Sequence, residues 1–164
     1  MGMSDVVRAY ADKEIVISND PRRCIHAAEC TRGLPAVFDI ARRLWIMPSG
    51  ARADEITAMI AKCPSGALHF TRLDGGSAEI SPEDNTIVPT PMGPLCVMER
   101  IQLLSADGSL IVKDTRLTLC RCGQSHNKPF VTIVIAIPAL TIPVLSRTVA
   151  GRLQPRTACR SQHH

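Results

Sequence analysis

Short apolar runs, each bounded by polar or turn-forming residues, set the first expectations for this chain. Glu14-Ile15-Val16-Ile17-Ser18 is a β-prone run, and Asn19-Asp20-Pro21 after it marks a turn or a helix start. In Asp54-Glu55-Ile56-Thr57-Ala58-Met59-Ile60-Ala61-Lys62, Ile56, Met59 and Ile60 recur on one helical face. Acids at its start and a lysine at its end match the helix dipole. Ala67-Leu68-His69-Phe70-Thr71 reads as a return strand, which predicts a compact β-α-α-β unit closed by about residue 73.

From Asp74 to Pro94 the pattern fades into Gly, Pro, Ser, Asp and Glu, a composition that packs poorly and predicts a linker or loop. Beyond it, Leu95 to Leu104 and Ser109 to Lys113 flank Ala106-Asp107-Gly108, a hairpin signal, and Arg116 to Leu119 runs into Cys120. The second unit is therefore expected to be mostly β. The expected class is α+β: a cluster-sized β-α-α-β unit over 1–73, a linker over 74–94, a small β unit over 95–130 and an irregular tail over 131–164. The longest apolar stretch, Phe130 to Leu145, is shorter than the roughly 20 residues of a spanning helix, and Pro138 and Pro143 interrupt it. No membrane span is expected.

Composition sharpens the two-unit reading. A chain of 164 residues with 3% aromatic content has little bulky side-chain volume for its cores, and small domains of this kind usually need a metal or disulfide clamp. The seven cysteines are candidates. The N-terminal residues show no charged leader followed by an apolar run and a cleavage site, so the expectation is a cytoplasmic protein with reduced thiols. Grouped cysteines in odd number then read as metal ligands rather than as a disulfide framework. The formal charge of +4 is mild, and its cations are scattered in pairs such as Arg22-Arg23 and Arg42-Arg43, so no nucleic-acid partner is expected.

Cys24, Cys30 and Cys63-Pro64 form the first constellation. An iron-sulfur cluster needs several thiolates converging on one inorganic core, with backbone amides free to donate to the sulfurs. Cys24-Ile25-His26-Ala27-Ala28-Glu29-Cys30 places two thiols around one tight loop or helical turn. The predicted helix delivers Cys63, and Pro64 stops it. Two other readings stay open: a zinc site, although the paired Cys-x2-Cys knuckles that zinc favours are absent, and three buried cysteines acting as small hydrophobes. Phe38 and Trp45 are either core aromatics or a shield that keeps water from the site.

Bacterial ferredoxins carry a Cys-x2-Cys-x2-Cys loop and a remote Cys-Pro, and here Ala27 occupies the middle ligand position. Cys63-Pro64-Ser65-Gly66-Ala67-Leu68 resembles single-cluster ferredoxins with a Cys-x5-Cys loop, which often hold a 3Fe-4S cluster. The run Arg23 to Asp39, with Trp45-Ile46-Met47-Pro48, looks like the divergent 4Fe-4S mono-cluster domain over roughly residues 10 to 73. The resemblance implies a ferredoxin-like unit binding a 4Fe-4S or 3Fe-4S cluster through Cys24, Cys30 and Cys63. His26, beside the missing position, is a candidate fourth ligand or hydrogen-bond donor.

Cys120-Arg121-Cys122-Gly123-Gln124-Ser125-His126-Asn127-Lys128-Pro129-Phe130 is similar to the start of the CDGSH iron-sulfur motif, Cys-x-Cys-x2-Ser-x3-Pro-x-Cys-Asp-Gly-Ser-His. The resemblance implies a 2Fe-2S cluster, but Val131 and Ile135 stand where the third Cys and the His belong, and neither binds iron. Cys120 and Cys122 remain as a metal half-site, with His126 as a weak additional donor. The apolar run after Phe130 has the look of a reading-frame slip. With one T restored after that codon, a consistent codon choice for residues 131 to 143 reads Cys-Asp-Asn-Ser-His at the required spacing. The alternative is a genuine divergent tail packing as an apolar strand. Under the slip, Cys159, His163 and His164 carry no function, and the tail is expected to be disordered or aggregation-prone. Cys96 reads as a buried small side chain.

No Ser-His-Asp order, phosphate-cradling glycine loop or paired-carboxylate motif appears, so an enzyme is not expected. The expected function is a one-electron carrier or a redox or iron sensor, working with a redox partner protein. A homodimer through the CDGSH-like part is a further expectation. The alternatives are a zinc-stabilised or metal-free interaction module, or a defective product of a frameshifted gene.

Overall fold

The computed structural model describes residues 7–81, 85–91 and 93–132. The expectations for the tail from Ile133 onward, those on Ile135, Cys159, His163 and His164 included, lie outside the described residues. Among the described residues the architecture is mixed α+β, with two three-stranded antiparallel sheets and two α-helices.

The first sheet has the order β1 (Arg8–Ala11), β2 (Ile15–Asn19), β3 (Leu68–Arg72). β2 is its centre because its side chains alternate: Ile15 and Ile17 are fully buried while Val16 and Ser18 are half-buried. Between β2 and β3 run α1 (Glu29–Gly33), a single 3₁₀ turn at Pro48–Gly50, and α2 (Ala53–Ile60). The expected apolar face of α2 is the observed one, with Ile56 and Ile60 fully buried and Met59 nearly so. Glu55 caps this helix, its carboxylate accepting the Arg52 N–H at 3.0 Å. Val37, Phe38, Ile46 and Leu68 complete the core.

The first unit thus reads β-β-α-α-β, one strand longer than expected. Arg8-Ala9-Tyr10-Ala11 has no strand-like pattern of its own. It is folded back by Asp12, whose carboxylate accepts the N–H groups of Glu14 and Ile15 at 2.8 and 2.9 Å, so that Tyr10 pairs with Ile17.

The second sheet has the order β4 (Thr86–Pro89), β5 (Leu95–Leu104), β6 (Leu110–Leu119). The hairpin turns where the sequence signals it, with Gly108 at φ +87° and the Asp107 carboxylate accepting the Ser109 N–H at 3.0 Å. β4 lies inside the stretch read as linker or loop. It gains its order by pairing with β5, and Ile87 and Val88 on it stay exposed, so no buried pattern marks it in the sequence. The apolar core here is thin among the described residues: Val97, Ile101 and Leu117, with Leu103, Val112, Leu119 and Phe130 packed around them.

Ion pairs and hydrogen bonds join the two units. Arg23 meets Asp114 at 2.5 Å, with 10% and 2% of the two side chains exposed, and its guanidinium carbon lies 5.4 Å from the Phe130 ring centroid. His69 lies between two carboxylates, Nδ1 2.9 Å from Glu79 and Nε2 3.2 Å from Asp114. Arg116 reaches Glu79 at 2.5 Å, and the Asn127 side-chain amide donates to the Arg22 carbonyl at 2.8 Å. Burial alone would depress the imidazolium, but the hydrogen bonds and charges of Asp114 and Glu79 outweigh it and raise the His69 pKa to about 9.

A candidate cluster site on three thiols

The turn after β2 delivers the first thiol. The Asp20 carbonyl accepts the Arg23 N–H at 3.1 Å, and the Pro21 carbonyl accepts that of Cys24 at 3.4 Å. The loop then enters an unusual conformation for residues that carry a Cβ: His26 has φ 54° and Ala28 φ 60°. Each left-handed residue costs on the order of 1 kcal/mol and persists where its surroundings demand it. Departures of this kind aim backbone N–H groups into a shared concavity that suits anions such as thiolate and sulfide. A backbone hydrogen bond at His26 indeed favours the Cys24 thiolate. The Ala28 carbonyl then accepts the Arg32 N–H at 3.0 Å and opens α1, which carries Cys30.

Cys63 arrives from the other side. Its N–H closes on the Ile60 carbonyl at 2.9 Å just past α2, and Pro64 ends the helical run. The Ser65 hydroxyl lies 3.7 Å from the Cys63 sulfur. Cys30 and Cys63 both pack against the main core, and all three thiols are half-buried.

The electrostatics tie the three together. Burial pushes the Cys30 thiol up to about 11, and the charges of Cys63 and Cys24 push it further the same way. Cys24 is likewise raised by burial, opposed by the His26 backbone bond and assisted by the Cys63 charge. The raised Cys24 and Cys30 thiols keep their protons until a cation arrives, so cluster binding here would release protons. Among the described residues, no group of three or more His, Cys, Asp or Glu side chains is drawn tightly enough to chelate a single metal ion. A cluster spreads its ligands around a wider inorganic core, so three half-buried thiols from two elements fit it better than they fit one zinc ion. His26 is exposed on the loop beside Ala27.

Cys120 and Cys122 form a separate pair beyond the end of β6. Their sulfurs are 3.3 Å apart, and the Gln124 N–H points at Cys122 at 3.4 Å. Burial would raise the Cys120 thiol, but a hydrogen bond with Cys122 and the backbone N–H groups of Ser125, Cys122 and Gly123 bring it below the ordinary value. Gly123 makes this turn with φ +75°. Ser125 organises the adjoining loop, its hydroxyl donating to the Phe130 carbonyl at 2.7 Å and accepting the Asn127 N–H at 3.1 Å. His126 is exposed, and half-buried Val131 brings no donor to the pair. Cys96 is 1% exposed within β5. Phe38 is fully buried, with Trp45 packed beside it at a ring separation of 6.1 Å, so both aromatics belong to the core that backs Cys30 and Cys63.

Sequence reasoning missed the set Arg23, His69, Glu79, Asp114 and Arg116. No local spacing could have found it, because its bonds join residues as far as 93 positions apart and Glu79 sits in a stretch without a pattern.

Residues 10–73 match the family described as divergent 4Fe-4S mono-cluster, and residues 92–130 match the iron-binding zinc finger of CDGSH type. The second match stops at Phe130, the residue after which the motif breaks. The chain is 33% identical over 63 residues to Uncharacterized protein YjdI of Escherichia coli (strain K12), a span covering 38% of this chain and 83% of that protein. The protein of the same name in Escherichia coli O157:H7 matches with the same identity and coverage. No solved structure matches.

Proposed function

Because the chain belongs to the divergent 4Fe-4S mono-cluster family through residues 10–73 and carries a CDGSH-type iron-binding segment over residues 92–130, we propose that it is a ferredoxin-like one-electron carrier. Its cluster ligands are Cys24, Cys30 and Cys63. The observation that carries this reading is the convergence of these three half-buried thiols, one of them raised to about 11 by burial and by the other two. Such a donor set gives up its protons to a metal, and an iron-sulfur core spreads the thiolate charge over several irons.

The cluster would supply reversible one-electron chemistry, and the chain's own residues set where and how easily it runs. The backbone N–H of His26 favours the Cys24 thiolate and those at the start of α1 favour the Cys30 thiolate, and the Phe38–Trp45 core backs one side of the site. With Ala27 at the middle ligand position, three thiolates suit a 3Fe-4S cluster. A 4Fe-4S cluster needs one more ligand, which exposed His26 or solvent supplies. The chain performs no substrate chemistry in this reading, and a redox partner protein gives or takes the electron. The pair Cys120–Cys122 holds no 2Fe-2S cluster of its own, since Val131 stands where the motif calls for a thiol.

Anaerobic reconstitution with iron and sulfide tests this. A brown protein with broad visible absorbance, a paramagnetic resonance signal in one oxidation state and full recovery after a reduction and reoxidation cycle is expected. Colourless protein carrying zinc contradicts the cluster. A cluster that falls apart on one cycle points to sensing rather than carrying.

A further inference from the structure

We propose that β6 of the second unit positions the third ligand of the first, with Thr118 as the positioning residue for Cys63. This rests on the cluster reading above. The residues after Cys63 are held one by one, and much of the grip comes from the second sheet. The Thr118 hydroxyl donates to the Pro64 carbonyl at 3.0 Å. Arg23 donates to the Ser65 carbonyl at 3.0 Å and, from the same nitrogen, to the Arg116 carbonyl at 3.0 Å. Gly66, at φ +63°, lies so close to β6 that a Cβ there would come within 2.4 Å of the Arg116 carbonyl oxygen. Arg116 closes the set by donating to the Leu68 carbonyl at 3.0 Å.

These contacts follow from strand geometry. Side chains two apart on a strand share a face, and Asp114, Arg116 and Thr118 are the alternate residues of β6. All three address the first unit: Asp114 through Arg23 and His69, Arg116 through Leu68, Thr118 through Pro64. Arg116 and Thr118 are 5% and 2% exposed, so this strand spends a buried face on polar groups although its own sheet has a thin apolar core. A buried polar group is costly unless it is paired. Thr118 finds the Pro64 carbonyl immediately after a cluster ligand, Arg116 finds the Leu68 carbonyl and the Glu79 carboxylate, and Asp114 finds Arg23 and His69. Among the described residues the Arg116 Nε has no partner. Locking the peptide between Cys63 and Ser65 fixes where the Cys63 sulfur points. Two residues beyond Thr118, just past the end of β6, the chain reaches Cys120.

The test uses the full chain, reconstituted anaerobically with iron and sulfide. Thr118→Val keeps the shape of the side chain and removes its donor, leaving a buried carbonyl unpartnered. We expect iron release to a ferrous chelator to quicken about tenfold, as the loss of a buried hydrogen bond implies. The resonance spectrum should shift, and Thr118→Ser should restore both. Asp114→Asn, which loosens Arg23 at the other end of the same face, should move release and spectrum in the same direction and serves if the valine variant does not fold. Wild-type release and spectrum in both variants would overturn the inference while leaving the cluster reading intact. A wild type that takes up no iron would overturn both.

Discussion

Residues 8–72 and residues 86–130 reach order by different means. The first unit buries ten hydrophobic residues in one cluster among the described residues, and the second buries three. The thiols follow the same division. Cys30 and Cys63 lean directly on the larger core, whereas Cys120 and Cys122 sit on a turn beyond the end of β6. An apolar core of the first size can hold half-buried thiols in a strained loop without metal, because packing energy of tens of contacts outweighs a few kcal/mol of backbone cost. Arg23, His69, Arg116 and Thr118 tie the second unit to the first. A cluster site needs a preorganised base, and the core of the first unit provides it, with β6 gripping the residues after Cys63.

The largest effect expected from breaking this asymmetry comes from Ile56→Ala. Emptying a fully buried position should cost about 4 kcal/mol. Because the second unit leans on the first, urea unfolding followed by Trp45 fluorescence and by circular dichroism should shift together. Coincident loss would support the dependence, and a second unit that stays folded alone would break it. Next is Asp114→Asn, which leaves Arg23 buried without its carboxylate and should cost about 3 kcal/mol, measured in the same way.

Proton linkage gives a smaller, signed effect. His69 has its pKa raised from 6.5 to about 9 in the folded chain, so the stability it contributes is complete below 6.5 and is lost as pH climbs through about 9. Burial would raise its partner Asp114, but the hydrogen bond and charge of His69 and the charge of Arg23 hold it near 2, so its contribution is present above the ordinary carboxylate range and fades only as pH falls toward 2. With the ring 30% exposed, the His69 contribution should amount to about 2 kcal/mol between pH 6.5 and 10. Urea midpoints between pH 6.5 and about 8.5 should fall for the wild type and stay nearly flat for His69→Gln. Above that range the raised Cys24 and Cys30 thiols add a fall to both proteins. The smallest effect belongs to β4: Ile87→Thr, on an exposed edge position, should change stability by less than about 0.5 kcal/mol.

The same asymmetry decided what the sequence made legible. β2, α2 and β3 were readable because Ile15, Ile17, Ile56, Met59 and Ile60 mark the buried side at a fixed period, and the β5–β6 hairpin because Asp107-Gly108 names its turn. β1 and β4 were not, since edge strands with exposed residues owe their form to the neighbour they pair with. Cys24, Cys30 and Cys63-Pro64 declared themselves by spacing, while their shared electrostatics needed the fold. The polar face of β6 was hidden for another reason. Asp114, Arg116 and Thr118 look like a solvent-facing alternation, and nothing local distinguishes water from a second unit's backbone as their partner.

The central claim is that one cluster is ligated by the thiols of the first unit and none by Cys120 and Cys122, and iron and sulfide content tests it most directly. Wild type, Cys63→Ala and the double variant Cys120→Ser/Cys122→Ser would be reconstituted anaerobically and assayed side by side with their resonance spectra. The wild type should hold about three to four irons with matching sulfide. Cys63→Ala should lose most of the iron, and the double variant should keep both iron and spectrum. Iron retained by Cys63→Ala, or lost from the double variant, would contradict the account.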